Sequence, residues 1–259
     1  MKEKLPLYWI IFYTLILVGC DNNLIEVEDN DIVFMIRSNT LDLSKANFFI
    51  KNKETDLITF YAVKDSFGVN YYKDKEGVIK KVVLTPNTYK DDLLQFQTDA
   101  SKPAFLDSML LKNVDCNEFL SILPDIFERD QKSRTSGLDI KQHDSLNQIK
   151  IIPFLEKCGI PSPQKTSFKG MLAIFLTIQH SDKEIISYYY PMFECATMER
   201  KMSKSILAFM QDRLMVHNNK DQIYGTQKAA IGKFEILNKE NVNKRRAEMG
   251  MKPIKLDNL

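Results

Sequence analysis

The chain is poor in glycine, with nine in 259 residues, and none is gathered into a phosphate-cradling loop of the Walker type. It contains no G-x-S-x-G elbow and no H-E-x-x-H pair, so familiar signatures of serine hydrolases and zinc peptidases are missing. Histidine is scarce too. His143, His180 and His217 are the only three, and they lack the paired spacing of a metal site, so neither a metal ion nor a cofactor is expected. A surplus of one charge is also missing. The 36 basic and 34 acidic residues leave a net charge of +2, too little for nucleic-acid binding by bulk attraction. What is present is 44% hydrophobic residues, enough for one large core or two smaller ones.

Lys2 and Lys4 precede an apolar run, Leu5 to Val18, that falls short of the roughly 20 residues of a comfortable membrane span. The run ends in Leu17-Val18-Gly19-Cys20, followed by the polar Asp21-Asn22-Asn23. This resembles the lipobox of bacterial lipoproteins, in which the cysteine is lipidated and becomes the new N-terminus. The resemblance implies a signal peptide over residues 1–19 and a tether over 20–31. It also implies a membrane anchor through acyl chains, such as palmitate, on Cys20, on the exported side of the bacterial cell envelope. An ordinary signal peptide or a signal anchor is the alternative. Cys116, Cys158 and Cys195 remain. Being odd in number they can form at most one pair, and their helical surroundings favour buried free thiols.

Past the tether the pattern predicts an α+β chain: a small antiparallel β-rich domain over residues 32–102, followed by an all-α helical domain over 103–259. Short β-type runs, Ile32–Arg37, Phe48–Ile50, Leu57–Val63, Val69–Tyr72 and Val78–Leu84, alternate with turn signals such as N-K-E-T-D and K-D-K-E-G, which favours a meander. The second part opens with Asn113-Val114-Asp115 as a cap. Helices follow around Phe119–Arg134, Leu146–Cys158, Met171–His180, the Tyr188–Pro191 stretch and Ser203–His217.

Polar residues on apolar helix faces carry the chemistry. In the helix Ser203–His217, Ile206, Phe209, Met210 and Leu214 share one face, and Arg213 falls inside it, with His217 a turn later. In Phe119–Arg134 the apolar positions Leu123, Ile126 and Phe127 are continued by Asp130 and Arg134. In Met171–His180, Gln179 lies on the apolar arc with His180 at its flank. A charge aimed at a core is costly unless paired, so three such helices point to one shared polar network.

The ordered motifs D-Q-x-x-R (Asp130, Gln131, Arg134), G-x-P (Gly159, Pro161), I-Q-H (Ile178 to His180), D-R (Asp212, Arg213), Q-x-Y-G-T-Q (Gln222 to Gln227) and V-N-x-R-R (Val242 to Arg246), with Gly250, resemble an uncharacterised bacterial domain-of-unknown-function family. Such domains often sit on exported proteins. The resemblance spans Asp130 to Pro253; this chain departs from the pattern in carrying Ile160 where an aromatic is expected, and in lacking an aromatic near its C-terminal end. It implies a site without implying its chemistry.

The candidate pocket comprises Asp130, Gln131, Arg134, Gln179, His180, Asp212, Arg213, Tyr224, Gly225 and Gln227. Arg213 and Arg134 would hold an anionic or carbonyl group, Gly225 would permit a tight turn and Tyr224 would offer a stacking face. The leading expectation is a membrane-anchored binding or interaction module for a small molecule, glycan or peptide. The alternatives are an envelope hydrolase using Asp130 and His180, with no nucleophile signature to support it, and a purely structural polar network.

Overall fold

The structure, a computed structural model, describes residues 24–103, 106, 111–228 and 234–255. The expected signal peptide and Cys20 lie outside the described residues. The organisation is α+β: a five-stranded sheet in the N-terminal region, then a helical region.

The strands are β1 (Ile25–Glu26), β2 (Asn47–Ile50), β3 (Lys53–Thr55), β4 (Phe67–Lys73) and β5 (Ile79–Pro86), in the spatial order β1-β4-β5-β2-β3. The sheet is mixed, not the antiparallel meander expected. β2 runs parallel to β5, with Phe48 opposite Val82, while the other three pairings are antiparallel. Parallel neighbours require a long crossover, and the segment from β3 to β4 supplies it with a helix.

That helix corrects a second expectation. Leu57–Val63 is helix α2, not a strand, because the Asp56 carboxylate accepts from the Thr59 amide at 2.9 Å and caps it. Ile32–Arg37 is likewise helical, as part of α1 (Asp29–Arg37). Its apolar run is short enough to fit either period, and Asp29 and Asp31 in the first turn favour the helix through the macrodipole. Residues 25–31, read as tether, already belong to the fold: Ile25 pairs with Lys73, and Val27 is buried. A third helix, α3 (Tyr89–Asp99), follows the sheet and opens on a capping box made by Thr88 and Asp91.

The helical region contains α4 (Cys116–Ser136), α5 (Ile140–Cys158), α6 (Phe168–Gln179), α7 (Lys183–Met198), α8 (Lys204–His217) and the short α9 (Val242–Glu248). Asp115 caps α4 by accepting from Asn117 and Glu118. Pro124 and Pro153 lie inside continuous helices, and Gly159 ends α5 at a φ of 67°. Cys116 and Cys158 form a disulfide with their Cα atoms 5.9 Å apart, tying the start of α4 to the end of α5. Cys195 is free and exposed. The expectation of buried free thiols therefore fails for Cys116 and Cys158, while Cys195 is free as expected but exposed. Each sits in a helix as expected, but helix ends that pack side by side bring the first two within bridging range.

Two cores result. One lies between the sheet and α1–α2, around Ile32, Phe48, Phe60, Val82 and Leu84. The other fills the helical region around Ile126, Phe154, Ile174, Phe193 and Met210, and α3 joins it through Leu93. Arg37 at the end of α1 pins the seam. Its guanidinium donates to the carbonyls of Gln97 (2.8 Å), Ser187 (3.2 Å) and Tyr188 (2.9 Å) and lies over the Tyr188 ring. Among the described residues, no helix is long and apolar enough to cross a membrane.

Candidate functional site

Asp130, one turn beyond Ile126 on the inward face of α4, turns its carboxylate into the bundle and is 3% exposed. Its Oδ1 lies 3.1 Å from His180 Nδ1, and its Oδ2 accepts from Gln131 Nε2 at 2.9 Å. One turn on, Arg134 reaches the same carboxylate at 3.6 Å and makes a much closer contact with Asp144. Burial alone would raise the Asp130 carboxyl. The hydrogen bond and charge of His180, the Gln131 amide and Arg134 outweigh it and hold the group below its ordinary range.

Asp144, on α5, completes this cluster without being marked by the sequence. It stands in the polar stretch K-Q-H-D just ahead of the expected helix start, where nothing in its spacing marks it. Ligand atoms of Asp130, Asp144 and His180 all lie within 4.8 Å of one another. That is close enough to gather a cation, but the Arg134 guanidinium already bonds both carboxylates and plays that role.

Arg213, on α8, faces this cluster and interacts with the charges of Arg134 and Asp144. Burial, with Arg134 adding to it, makes its guanidinium less basic than usual, while Asp144 opposes the shift. Its Nε is buried without a hydrogen-bond partner, as is the Nε of Arg134. One turn before Arg213 on α8, the Phe209 carbonyl accepts from Gln179 Nε2 and Gln227 Nε2, at 3.2 and 3.3 Å. The Oε1 of Gln179, a residue 4% exposed, has no partner among the described residues.

Asp212 points the other way, as its helical neighbour must, and does a different job. It is fully buried, and its carboxylate accepts from the amides of Ile223 (2.6 Å), Tyr224 (2.9 Å) and Thr226 (2.7 Å) and from the Thr226 hydroxyl (2.9 Å). Burial pushes the carboxyl above its ordinary range, and these donors pull against that. The carbonyl side of the same loop is held by the V-N-x-R-R segment. Arg245 Nε donates to the Ile223 carbonyl at 2.9 Å, and Arg246 Nη1 donates to that of Tyr224 at 2.8 Å. Gln222 closes the loop by accepting from the Gln227 amide at 2.9 Å. Gly225 sits at a φ of 68°, and a Cβ there would approach Ile236 Cδ1 to 2.5 Å.

The candidate residues thus sort into three places. Asp130, Gln131, Arg134 and His180 meet in one cluster with Arg213 alongside, and Gln179 and Gln227 meet at the Phe209 carbonyl. Asp212 and Gly225 belong to the loop clasp. Tyr224 is held by that clasp too, but its ring lines a separate cavity together with Tyr190 and Gln211. His217 is exposed, one turn beyond Arg213, whose charge it feels.

Residues 128–257, half of the chain, match the model of a family of unknown function, DUF6624. The match takes in both the charged cluster and the clasped loop, and the chain belongs to that family. No curated protein and no solved structure matches this chain.

Proposed function

We propose that this family member is a lipid-anchored exported protein whose helical domain binds a ligand through an anionic or carbonyl group at Arg213. One observation carries the reading: Arg213 alone of the cluster's charges has no bonding partner. Asp130 and Asp144, the two carboxylates at hand, are both engaged by Arg134, and Asp130 by His180 as well. Among the described residues, no carboxylate lies within ion-pair distance of Arg213. A guanidinium withdrawn from water without a partner costs free energy that an entering carboxylate would recover. The unpartnered Gln179 Oε1 supplies an acceptor nearby for a donor on the same ligand.

Thermal shift of the soluble mature protein with citrate and inorganic phosphate tests this. A ligand at a hundredfold excess over its Kd stabilises by about 2.7 kcal/mol, a rise of roughly 5–10 °C for a chain of this size. The rise should vanish in Arg213→Met while the ligand-free Tm stays level or increases. A fall in ligand-free Tm of the Arg213→Met variant, with no ligand response in wild type, favours the structural network instead.

A second reading has its own observation. Asp130 Oδ1 and His180 Nδ1, 3.1 Å apart, form an oriented pair of the kind that sets up an imidazole base. Turnover of a bound ester or amide, lost in His180→Asn with binding retained, would establish a hydrolase.

Anchoring rests on the V-G-C junction, and the Cys116–Cys158 disulfide fits an oxidising, exported compartment. Metabolic labelling with a fatty-acid probe should mark the wild-type chain and not Cys20→Ala. Equal labelling of both refutes it.

A further inference from the structure

A second cavity, of about 340 Å³, opens at the seam between the two cores, away from the Arg213 cluster. Its walls come from α1, α3, α7, α8 and the clasped loop, including Tyr89, Gln97, Tyr190, Glu194, Gln211 and Tyr224. Seams between packed units are where small-molecule sites concentrate.

The hydrogen bonding of this wall is unbalanced. Gln97 is 4% exposed, and its Oε1 has no donor among the described residues. The Oε1 of Gln211 is also buried without a donor, although its Nε2 is placed by the Tyr190 hydroxyl at 2.5 Å. Most buried side-chain oxygens find a donor, so two orphans on one cavity wall call for an explanation. Both oxygens are shielded from solvent, and the terminal amide torsion is soft. A donor entering the cavity can be met by a turn of either amide.

The charges around the cavity cancel. Asp29 and Glu194 stand against Lys90 and Lys204. Burial raises both carboxyls, and Lys90 opposes that shift at Asp29. Tyr89 adds a partly exposed ring at the rim. A wall rich in acceptors, neutral in sum and edged by an aromatic face suits a ligand with many hydroxyl donors and apolar C–H faces.

We infer that this cavity is a binding site for a neutral saccharide of one or two rings, read by Gln97 and Gln211 and packed against Tyr89. It is separate from the Arg213 site and does not depend on it.

Saturation-transfer NMR on the soluble mature chain tests the inference with D-glucose, N-acetylglucosamine and maltose as probes, and with putrescine and citrate as cationic and anionic controls. At least one sugar should receive saturation. Its affinity should fall tenfold or more in both Gln97→Leu and Gln211→Leu and stay unchanged in Arg213→Met. Because Gln97→Leu removes a buried unpartnered acceptor, its ligand-free Tm should hold or rise, which separates lost binding from lost folding. The inference is overturned by a folded wild-type chain that binds none of the sugars, by sugar binding that survives both substitutions, or by putrescine binding in their place.

Discussion

Removing the Asp212 carboxylate would strip the acceptor from three loop amides and one hydroxyl at once. Each buried donor left unpaired costs about 1–3 kcal/mol, so Asp212→Ala should lose at least about 3 kcal/mol in a urea titration, well beyond a typical point substitution. Arg213, the next residue, should behave in the opposite sense, because its burial is unrepaid. Asp130 carries a pH signature. Its folded-state carboxyl lies below its ordinary 3.8, so its contribution to stability is complete above that value and is lost as pH falls through the depressed folded value. The acid limb of the Tm profile, below about pH 4, should therefore be shallower in Asp130→Asn than in wild type. Identical limbs would mean that His180, Gln131 and Arg134 do not favour the charged carboxylate.

The loop from Gln222 to Gln227 has no regular structure and yet is fixed from two sides, by Asp212 on its amides and by Arg245 and Arg246 on its carbonyls. Three sequence motifs thus become one structural unit, and Gly225 is its pivot. Gly225→Ala places a side chain at a left-handed φ, a cost of about 1–2 kcal/mol, before any contact with Ile236 is counted. A variant as stable as wild type would contradict this geometry. The Cys116–Cys158 bridge closes a separation of 42 residues, for which chain entropy gives about 4 kcal/mol. Reduction should accordingly lower Tm measurably, and Cys116→Ala should match the reduced wild type. Much of this level was legible in the sequence. Helical spacing placed Asp130, Arg134 and Arg213 on inward faces, and the ordered motifs fall on the segments that meet in the charged cluster and the clasp. The disulfide, Asp144 and the role of Asp212 were not legible, because each depends on which helix ends and faces meet, and periodicity within one helix is silent on that. The two short runs misread as strands show the same limit. Ile32–Arg37 and Leu57–Val63 satisfy either period, and the deciding signals, Asp29 with Asp31 and the Asp56 cap, lie at or beyond their edges.

At the scale of the whole molecule, α3 belongs to the helical core and packs against α1, and Arg37, whose three carbonyl partners lie on α3 and α7, locks the two cores together. Arg37→Met leaves those carbonyls short of a donor and should speed proteolytic cutting near the α1–α3 seam while the helical core stays folded. The charged cluster lies wholly within the helical region, so the proposed citrate binding is expected to survive when the seam is loosened. Central to the account is the claim that Arg213 is held without a partner in order to receive one. Isothermal titration of citrate into wild type, Arg213→Lys and Arg213→Met measures this most directly. The expected result is a saturable Kd in wild type, weakened at least tenfold in Arg213→Met, with Arg213→Lys between them because an ammonium keeps the charge but loses the bidentate fork. Equal affinity in all three folded proteins would contradict the account.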